Sequence, residues 1–254
     1  MEIRVLGCYG AQFPGYNTPG FLLNGNLLVD AGTVTSVLTQ EEQINIDQIL
    51  VTHAHLDHVK DIAFLADNLQ LQKTYPVSIV ATQGIIDIMR ANLFNNVLWP
   101  DFSTIPNAKD PVIRFQPIKP GRPYSLNDVK ITAIEVNHTV ETVAYVIEYE
   151  GGSVIFVGDT GPTEEIWMVA NKLKDLHAIF IETSFPNDMK DVAEATGHFT
   201  PETLNNELEK LKIQAPDIYL YHLKPQHYDV IVKEVGLLEK RNIQILREGE
   251  IIQI

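Results

Sequence analysis

Three histidines and one aspartate fall within six residues, in the run His53-Ala54-His55-Leu56-Asp57-His58. Neutral imidazole nitrogens and carboxylate oxygens are the donors that suit zinc, manganese or iron. Packing four such groups together without a cation would be costly, because desolvated polar atoms would go unpaired. The run follows Gln48 to Thr52, an apolar segment that reads as a buried strand. Alternation along that strand would put His53 and His55 on one face. Asp57 and His58 then fall in the following turn, where the chain can reverse and aim them at the same spot. Three more polar residues stand just past apolar segments. His138 follows Val129 to Asn137, Asp159 follows Ser153 to Val157 through Gly158, and His222 follows Ile218 to Tyr221. Sites on open sheets collect at such strand ends.

The elements that must carry these residues alternate along the chain. Ile3 to Cys8, Gly20 to Leu23 and Asn26 to Val29 read as early strands, with turns at Gly15 to Pro19 and at Asn24-Gly25. Asp61 to Leu71 has helical spacing, with Ile62, Leu65 and Leu69 on one face. Val77 to Ala81 reads as a strand and Ile85 to Leu93 as a helix. In the second half, Val129 to Asn137, Val143 to Tyr149 and Ser153 to Val157 read as strands, with Gly151-Gly152 as a hairpin turn. A helix over Thr163 to Leu173, a strand over Ala178 to Ile181 and a helix through Leu211 follow, the last with Thr200 as N-cap and Pro201 at its first position. Ile218 to Tyr221, a helix near Val230 to Leu238, and strands at Gln244 to Arg247 and Glu250 to Ile254 close the chain. Two successive halves of strands followed by helices fit a sandwich of two sheets flanked by helices, one domain over residues 1–254.

Composition narrows the partners. The formal net charge is -14 and the basic residues are scattered, so a polyanion meets repulsion. A large nucleic acid is therefore not expected, whereas a small anion is admissible, because a local metal charge can outweigh a distant surface field. The single cysteine, Cys8, excludes an intrachain disulfide and reads as a small buried hydrophobe. The N-terminus opens directly into a strand pattern, with no signal-peptide features and no apolar run of membrane length, so the expected location is cytoplasmic. Asn137-His138-Thr139 fits a glycosylation acceptor, a reading incompatible with His138 facing a metal.

With these residues in order, the chain resembles the metallo-β-lactamase superfamily. The run His53-x-His55-x-Asp57-His58, then His138, Asp159 and His222, follows the motif order of that family. The resemblance implies an α/β fold, the four-layer αββα sandwich of two mixed sheets flanked by helices. It also implies two divalent transition-metal ions, zinc foremost with manganese or iron admissible. One would be held by His53, His55 and His138, the other by Asp57, His58 and His222, with Asp159 bridging. No cysteine takes the middle ligand position, which points away from the antibiotic-degrading branch with a cysteine ligand.

Further segments are similar to class II 3',5'-cyclic-nucleotide phosphodiesterases. They are Thr52 to Val59, Trp99-Pro100-Asp101-Phe102-Ser103, Gly158 to Pro162, Glu182-Thr183-Ser184-Phe185-Pro186-Asn187, Gly197-His198-Phe199-Thr200-Pro201 and His222-Leu223-Lys224-Pro225. Asp61 departs from that signature, which has a small residue there. The resemblance implies hydrolysis of a cyclic nucleotide such as cyclic AMP or cyclic GMP to the 5'-nucleotide. A hydroxide bridging ions about 3.5–4 Å apart would attack phosphorus in line, oriented by Asp57 or Asp159. His198 lies outside the seven-ligand set and is either a helix-capping histidine or the general acid for the 3'-oxygen. Phe94, Trp99 and Phe102 either pack in the core or stack a base, and Lys224 either touches the phosphate or is solvated. A homodimer is compatible with all of this. Two other readings share the metals: a tRNA 3'-processing endonuclease of the ribonuclease Z type, and a thioester or lactone hydrolase with no need of His198.

Overall fold

The computed structural model describes residues 1–213, 216–238 and 242–254. The first half runs β1 (Glu2–Gly7), β2 (Gly20–Leu23), β3 (Leu27–Ala31), α1 (Gln40–Ile44), β4 (Gln48–Leu50), α2 (Leu56–Leu69), β5 (Val77–Thr82), α3 (Gln83–Asn92) and β6 (Ile113–Ile118). The second half runs β7 (Pro123–Leu126), β8 (Val129–Glu135), β9 (Val143–Tyr149), β10 (Gly152–Phe156), α4 (Glu165–Ala170), β11 (Leu176–Glu182), α5 (Lys190–Thr196), α6 (Pro201–Leu208), β12 (Asp217–Tyr221), α7 (Tyr228–Val235), β13 (Ile243–Ile245) and β14 (Ile251–Gln253).

Among the described residues these strands form two seven-stranded sheets, in the orders β14-β1-β2-β3-β4-β5-β6 and β13-β12-β11-β10-β9-β8-β7. Both sheets are mixed in the same way. Pairing is antiparallel from β14 to β3 and parallel from β3 to β6. It is likewise antiparallel from β7 to β10 and parallel from β10 to β13. The facing sides close over one apolar core, in which Phe21 of the first sheet packs on Phe156, Phe180 and Tyr221 of the second at centroid distances of 5.2, 5.9 and 5.3 Å. Helices α2 and α3 bury Val59, Ile62, Leu65, Ile85 and Ile86 against the outside of the first sheet, while α4, α6 and α7 cover the outside of the second with Trp167, Leu204 and Ile231. The four-layer αββα sandwich expected from the sequence is the fold.

Three cross-sheet hydrogen bonds lie beside the start of the histidine run. The buried Tyr145 hydroxyl on β9 reaches the Val51 and Val80 carbonyls at 3.0 and 3.1 Å, and Val143 N donates to the Thr52 carbonyl at 2.9 Å. These bonds tie the end of β4 to the other sheet.

Several expectations shift. Helix α2 begins at Leu56 rather than Asp61, so Asp57 and His58 sit in its first turn and not in a free turn. β4 ends at Leu50, and His55 is the N-cap of α2 with φ -65° and ψ 145°. Strand alternation therefore does not aim His53 and His55; the strand-to-helix junction does. The hairpin between β9 and β10 closes on the pair Tyr149–Gly152, placing Glu150 and Gly151 in the turn, with Gly151 at φ 107°. α1, β6, β7 and α5 were not anticipated. β6 reads Ile-Arg-Phe-Gln-Pro-Ile, at the sheet edge, where polar residues and a proline are tolerated but blur the pattern.

Candidate metal centre

The site lies at the carboxyl ends of the central strands of both sheets, around the strands where pairing changes from antiparallel to parallel. Such switch points open a crevice between neighbouring connections. His53 leaves the end of β4, and His55, Asp57 and His58 line the start of α2. The helix start is pressed onto Gly32, where an added Cβ would stand 1.7 Å from the Asp57 carbonyl oxygen. Asp159 follows β10 through Gly158, whose φ of 73° suits a residue without a side chain. His222 follows β12 and itself has φ 66°, in the left-handed region.

Their donor atoms converge. His53, His55, His138 and Asp159 form one group whose ligand atoms all lie within 4.8 Å of one another; Asp57, His58 and His222 form a second, and Asp159, His198 and His222 a third. Asp159 Oδ2 lies 3.8 Å from His53 Nε2, 3.5 Å from His58 Nε2 and 3.2 Å from His222 Nε2. Asp57 Oδ2 lies 3.4 Å from His222 Nε2 and 4.0 Å from His58 Nε2. His55 Nδ1 and His138 Nε2 are 3.3 Å apart. The structure thus brings together all seven residues that the sequence suggested as ligands.

The far sides of the His53, His58, His138 and His222 rings are engaged, which orients their near sides. His58 Nδ1 lies 2.7 Å from Asp30 Oδ2, and His138 Nδ1 lies 2.9 Å from the Gly197 carbonyl. Both partners only accept, so each Nδ1 carries a hydrogen, and in the neutral ring Nε2 is the free lone pair. Thr52 Oγ1 donates to Asp30 and faces His53 Nδ1 at 3.1 Å. His222 Nδ1 lies 2.8 Å from Ser184 Oγ. What remains is a set of buried atoms without a hydrogen-bond partner: His53 Nε2, His58 Nε2, His222 Nε2 and Asp159 Oδ1. Buried polar atoms are ordinarily paired, and three imidazole lone pairs facing carboxylates are the donor set a divalent cation satisfies. The residues present fit such ions.

The electrostatics agree with a crowded ionisable site. Burial, reinforced by neighbouring His58, holds His53 well below the usual histidine range. Burial works against the Asp159 carboxylate, yet His222 and His58 beside it hold it well below the usual carboxylate range. His198 lies outside the seven. Burial opposes its charge, but Glu182, whose Oε1 lies 3.0 Å from His198 Nδ1, raises it above the usual value. Its ring stacks on His222 at a centroid distance of 5.3 Å.

The family model described as Beta-lactamase superfamily domain matches residues 25–223, a span that contains every residue of this centre. The chain belongs to that superfamily. A relative from Yersinia pestis named probable 3',5'-cyclic-nucleotide phosphodiesterase is 26% identical over 242 residues, covering 85% of this chain and 68% of the relative. A 3',5'-cyclic-nucleotide phosphodiesterase from Schizosaccharomyces pombe is 30% identical over 183 residues, covering 64% of this chain and 50% of its own length. A ribonuclease Z from Methanopyrus kandleri is 28% identical over 155 residues, covering 58% and 50%. Among solved structures, unliganded yeast PDE1 superposes with a TM-score of 0.84 at 18% identity, covering 98% of each chain.

Within this superfamily frame, sequence reasoning gave no role to the residues that hold the ligands. Asp30, Thr52, Glu182 and Ser184 are all buried. Asp30 carried the signal used for His138, Asp159 and His222, a polar residue at the end of an apolar strand, but it was not read. Asp61, the departure from the phosphodiesterase signature, faces away from the ligands: its Oδ2 accepts from Val34 N, Thr35 N and Thr35 Oγ1 at 2.7, 2.8 and 3.1 Å. Of the aromatic candidates, Phe94 and Phe102 lie in the core, each 2% exposed, so neither offers a face to a base. Trp99 is half-buried, with its indole N–H donating to the Ala63 carbonyl at 3.0 Å and its ring against Phe64. Lys224 is half-buried; its Nζ donates to the Gly10 carbonyl at 2.5 Å and lies 5.8 Å from the Phe185 ring centre. Cys8 is buried with its thiol toward the Leu246 carbonyl, and burial raises its pKa above the usual thiol range.

Proposed function

We propose that this chain is a two-metal phosphodiesterase that hydrolyses a 3',5'-cyclic nucleotide to the 5'-nucleotide. The observation that carries the reading is the position of His198: a histidine outside the ligand set, anchored at Nδ1 by Glu182, with its ring stacked on His222. A hydrolase of an ester with a good leaving group has no use for such a proton donor, whereas release of a ribose alkoxide does. The cyclic-nucleotide names of the relatives point the same way.

In this reading His53, His55 and His138 would hold one ion and Asp57, His58 and His222 the other, with the Asp159 carboxylate within reach of both groups. When bound, two such ions supply Lewis acidity toward the phosphoryl oxygens and lower the pKa of a water. The chain does the rest. Asp57 and Asp159 would orient the attacking water by accepting its hydrogens. His198, its Nδ1 fixed by Glu182, gives the proton on Nε2 to the departing 3'-oxygen. Lys224, anchored on the Gly10 carbonyl, would supply positive charge for the phosphate. Zinc is the metal first tested, with manganese and iron as the other candidates for this nitrogen and oxygen donor set.

The second reading is a tRNA 3'-processing endonuclease, favoured by the ribonuclease Z relatives. The net charge of -14 opposes gripping a large polyanion. One panel separates the readings: cyclic AMP, cyclic GMP, a model phosphodiester, pre-tRNA and a thioester, offered to the same metal-loaded protein. Cyclic nucleotide turnover exceeding pre-tRNA cleavage by orders of magnitude is expected. Efficient 3' cleavage of pre-tRNA with cyclic nucleotides untouched replaces this proposal with the second.

A further inference from the structure

His222 is held more tightly than any local rule requires. Its backbone is in the left-handed region, its N–H donates to the Cys8 carbonyl at 2.6 Å, and a Cβ on Gly10 would stand 2.6 Å from its Nδ1. A residue that keeps such a conformation is over-determined by its surroundings. The side-chain part of that determination comes from one buried pair on the neighbouring strand end. Glu182 and Ser184 are each 0% exposed. Ser184 Oγ lies 2.8 Å from Glu182 Oε2, 2.8 Å from His222 Nδ1 and 3.3 Å from His198 Nδ1. Glu182 Oε1 accepts from Phe199 N and from His198 Nδ1, both at 3.0 Å. The serine backbone is itself fixed, donating to the Phe199 carbonyl and accepting from Lys224 N.

Hydrogen counting orders this cluster. The Glu182 carboxylate only accepts, so the single serine hydrogen goes to Oε2. The serine oxygen must then accept, and the partner at 2.8 Å is His222 Nδ1–H. That leaves His222 Nε2 as a bare lone pair, and it is one of the buried atoms without a partner in the centre.

We propose that Ser184 is a positioning residue for the ion assigned to Asp57, His58 and His222. Its hydroxyl relays the Glu182 carboxylate to His222, fixing the tautomer and the aim of Nε2. The same carboxylate holds His198 with its other oxygen, so one buried acid supports both the ligand and the proton donor. This rests on the ligand assignment made above, but not on the identity of the substrate.

The test uses the full chain, stripped of metal and titrated with Zn2+ against a competing chelator, with no substrate present. The wild type should bind two ions, and Asp57→Ala identifies which binding step belongs to the Asp57 group. Ser184→Ala should weaken that step by about 10–100-fold, the usual effect of removing a partner behind a ligand, and leave the other step unchanged. Ser184→Thr, which keeps the hydroxyl, should restore it. Glu182→Gln should weaken the same step, and Glu182→Gln/Ser184→Ala should be no weaker than Glu182→Gln alone, since the two act in series. Wild-type affinity in Ser184→Ala, equal weakening of both steps, no recovery with threonine, or additive losses in the double variant each overturn the relay. A single ion bound by the wild type overturns both the relay and the two-metal reading, whereas failure of the substrate panel leaves the relay standing.

Discussion

The two sheets have the same sequence of antiparallel and parallel pairings, yet they deliver their candidate ligands in different ways. The first half supplies His53, His55, Asp57 and His58 from one strand-to-helix junction. The second supplies His138, Asp159, His198 and His222 from separate connections. Each half places one buried carboxylate near a strand end behind some of its histidines, Asp30 in β3 and Glu182 in β11. Asp30 accepts from Thr52 N, from Thr52 Oγ1 and from His58, and so anchors a short local run. Glu182 anchors the backbone of Phe199, His198 and, through Ser184, His222, and so joins two different connections. A contiguous cluster needs one anchor behind one junction, whereas dispersed ligands need an anchor that reaches across strands. Asp159 is where the halves meet, since its Oδ2 faces His53, His58 and His222.

Breaking that meeting point should have the largest effect. Asp159→Ala leaves imidazoles from both halves without the shared carboxylate. Metal analysis should show loss of both ions, and hydrolysis should fall to background; chelation of the wild type should do the same, with recovery on adding zinc. A variant that keeps two ions and measurable turnover would show that the halves bind metal independently.

Next comes His198, the proposed proton donor, which belongs to the second half alone. His198→Ala should keep both ions and lose about 10²–10⁴-fold in turnover of a cyclic nucleotide. A nitrophenyl phosphodiester, whose leaving group departs without a proton, should be much less affected. Equal losses on the two substrates would reduce His198 to a binding residue.

The two anchors can be compared directly. Asp30→Asn places an amide where both Thr52 N–H and His58 Nδ1–H require an acceptor. Zinc affinity at the Asp57 group should fall by about 10–100-fold, comparable with Ser184→Ala. An effect confined to folding stability, with zinc binding intact, would mean that the first half positions His58 through the helix start alone.

The smallest effect is expected at Asp61. Its buried carboxylate satisfies two backbone N–H groups of the loop after β3, so Asp61→Ala should cost about 1–3 kcal/mol of stability, read as a lower unfolding midpoint. Zinc binding and turnover should stay unchanged. A selective loss of zinc would extend the support of the first half beyond Asp30.

Much of the centre was legible without coordinates. Residue type and order named seven candidate ligands and the superfamily, because donors for a divalent cation are chemically distinctive and occur just past apolar runs. Apolar spacing places the start of α2 at Asp61 rather than Leu56 because the stretch before Asp61 contains the candidate site, whose polar residues interrupt the spacing that marks a helix. The start of α1 was signalled by Thr39 and Glu42, which form a capping box, but its five residues hold too little periodicity to stand out. Phe102 shows the limit on the other side: an aromatic residue looks the same in sequence whether it fills a core or stacks a base.

By itself, then, the sequence determined which atoms are available to bind metal, in what order, and on which apolar segments they ride. Tertiary structure decided which atoms face one another. His58 meets Asp30 and His222 meets Ser184 across separations of 28 and 38 residues. The closing strands β13 and β14 join opposite sheets, although only five residues separate them. The reason is physical. Side-chain periodicity is a local property of the chain, whereas the partner of a buried carboxylate or a sheet edge is chosen by what remains unpaired once the two sheets close.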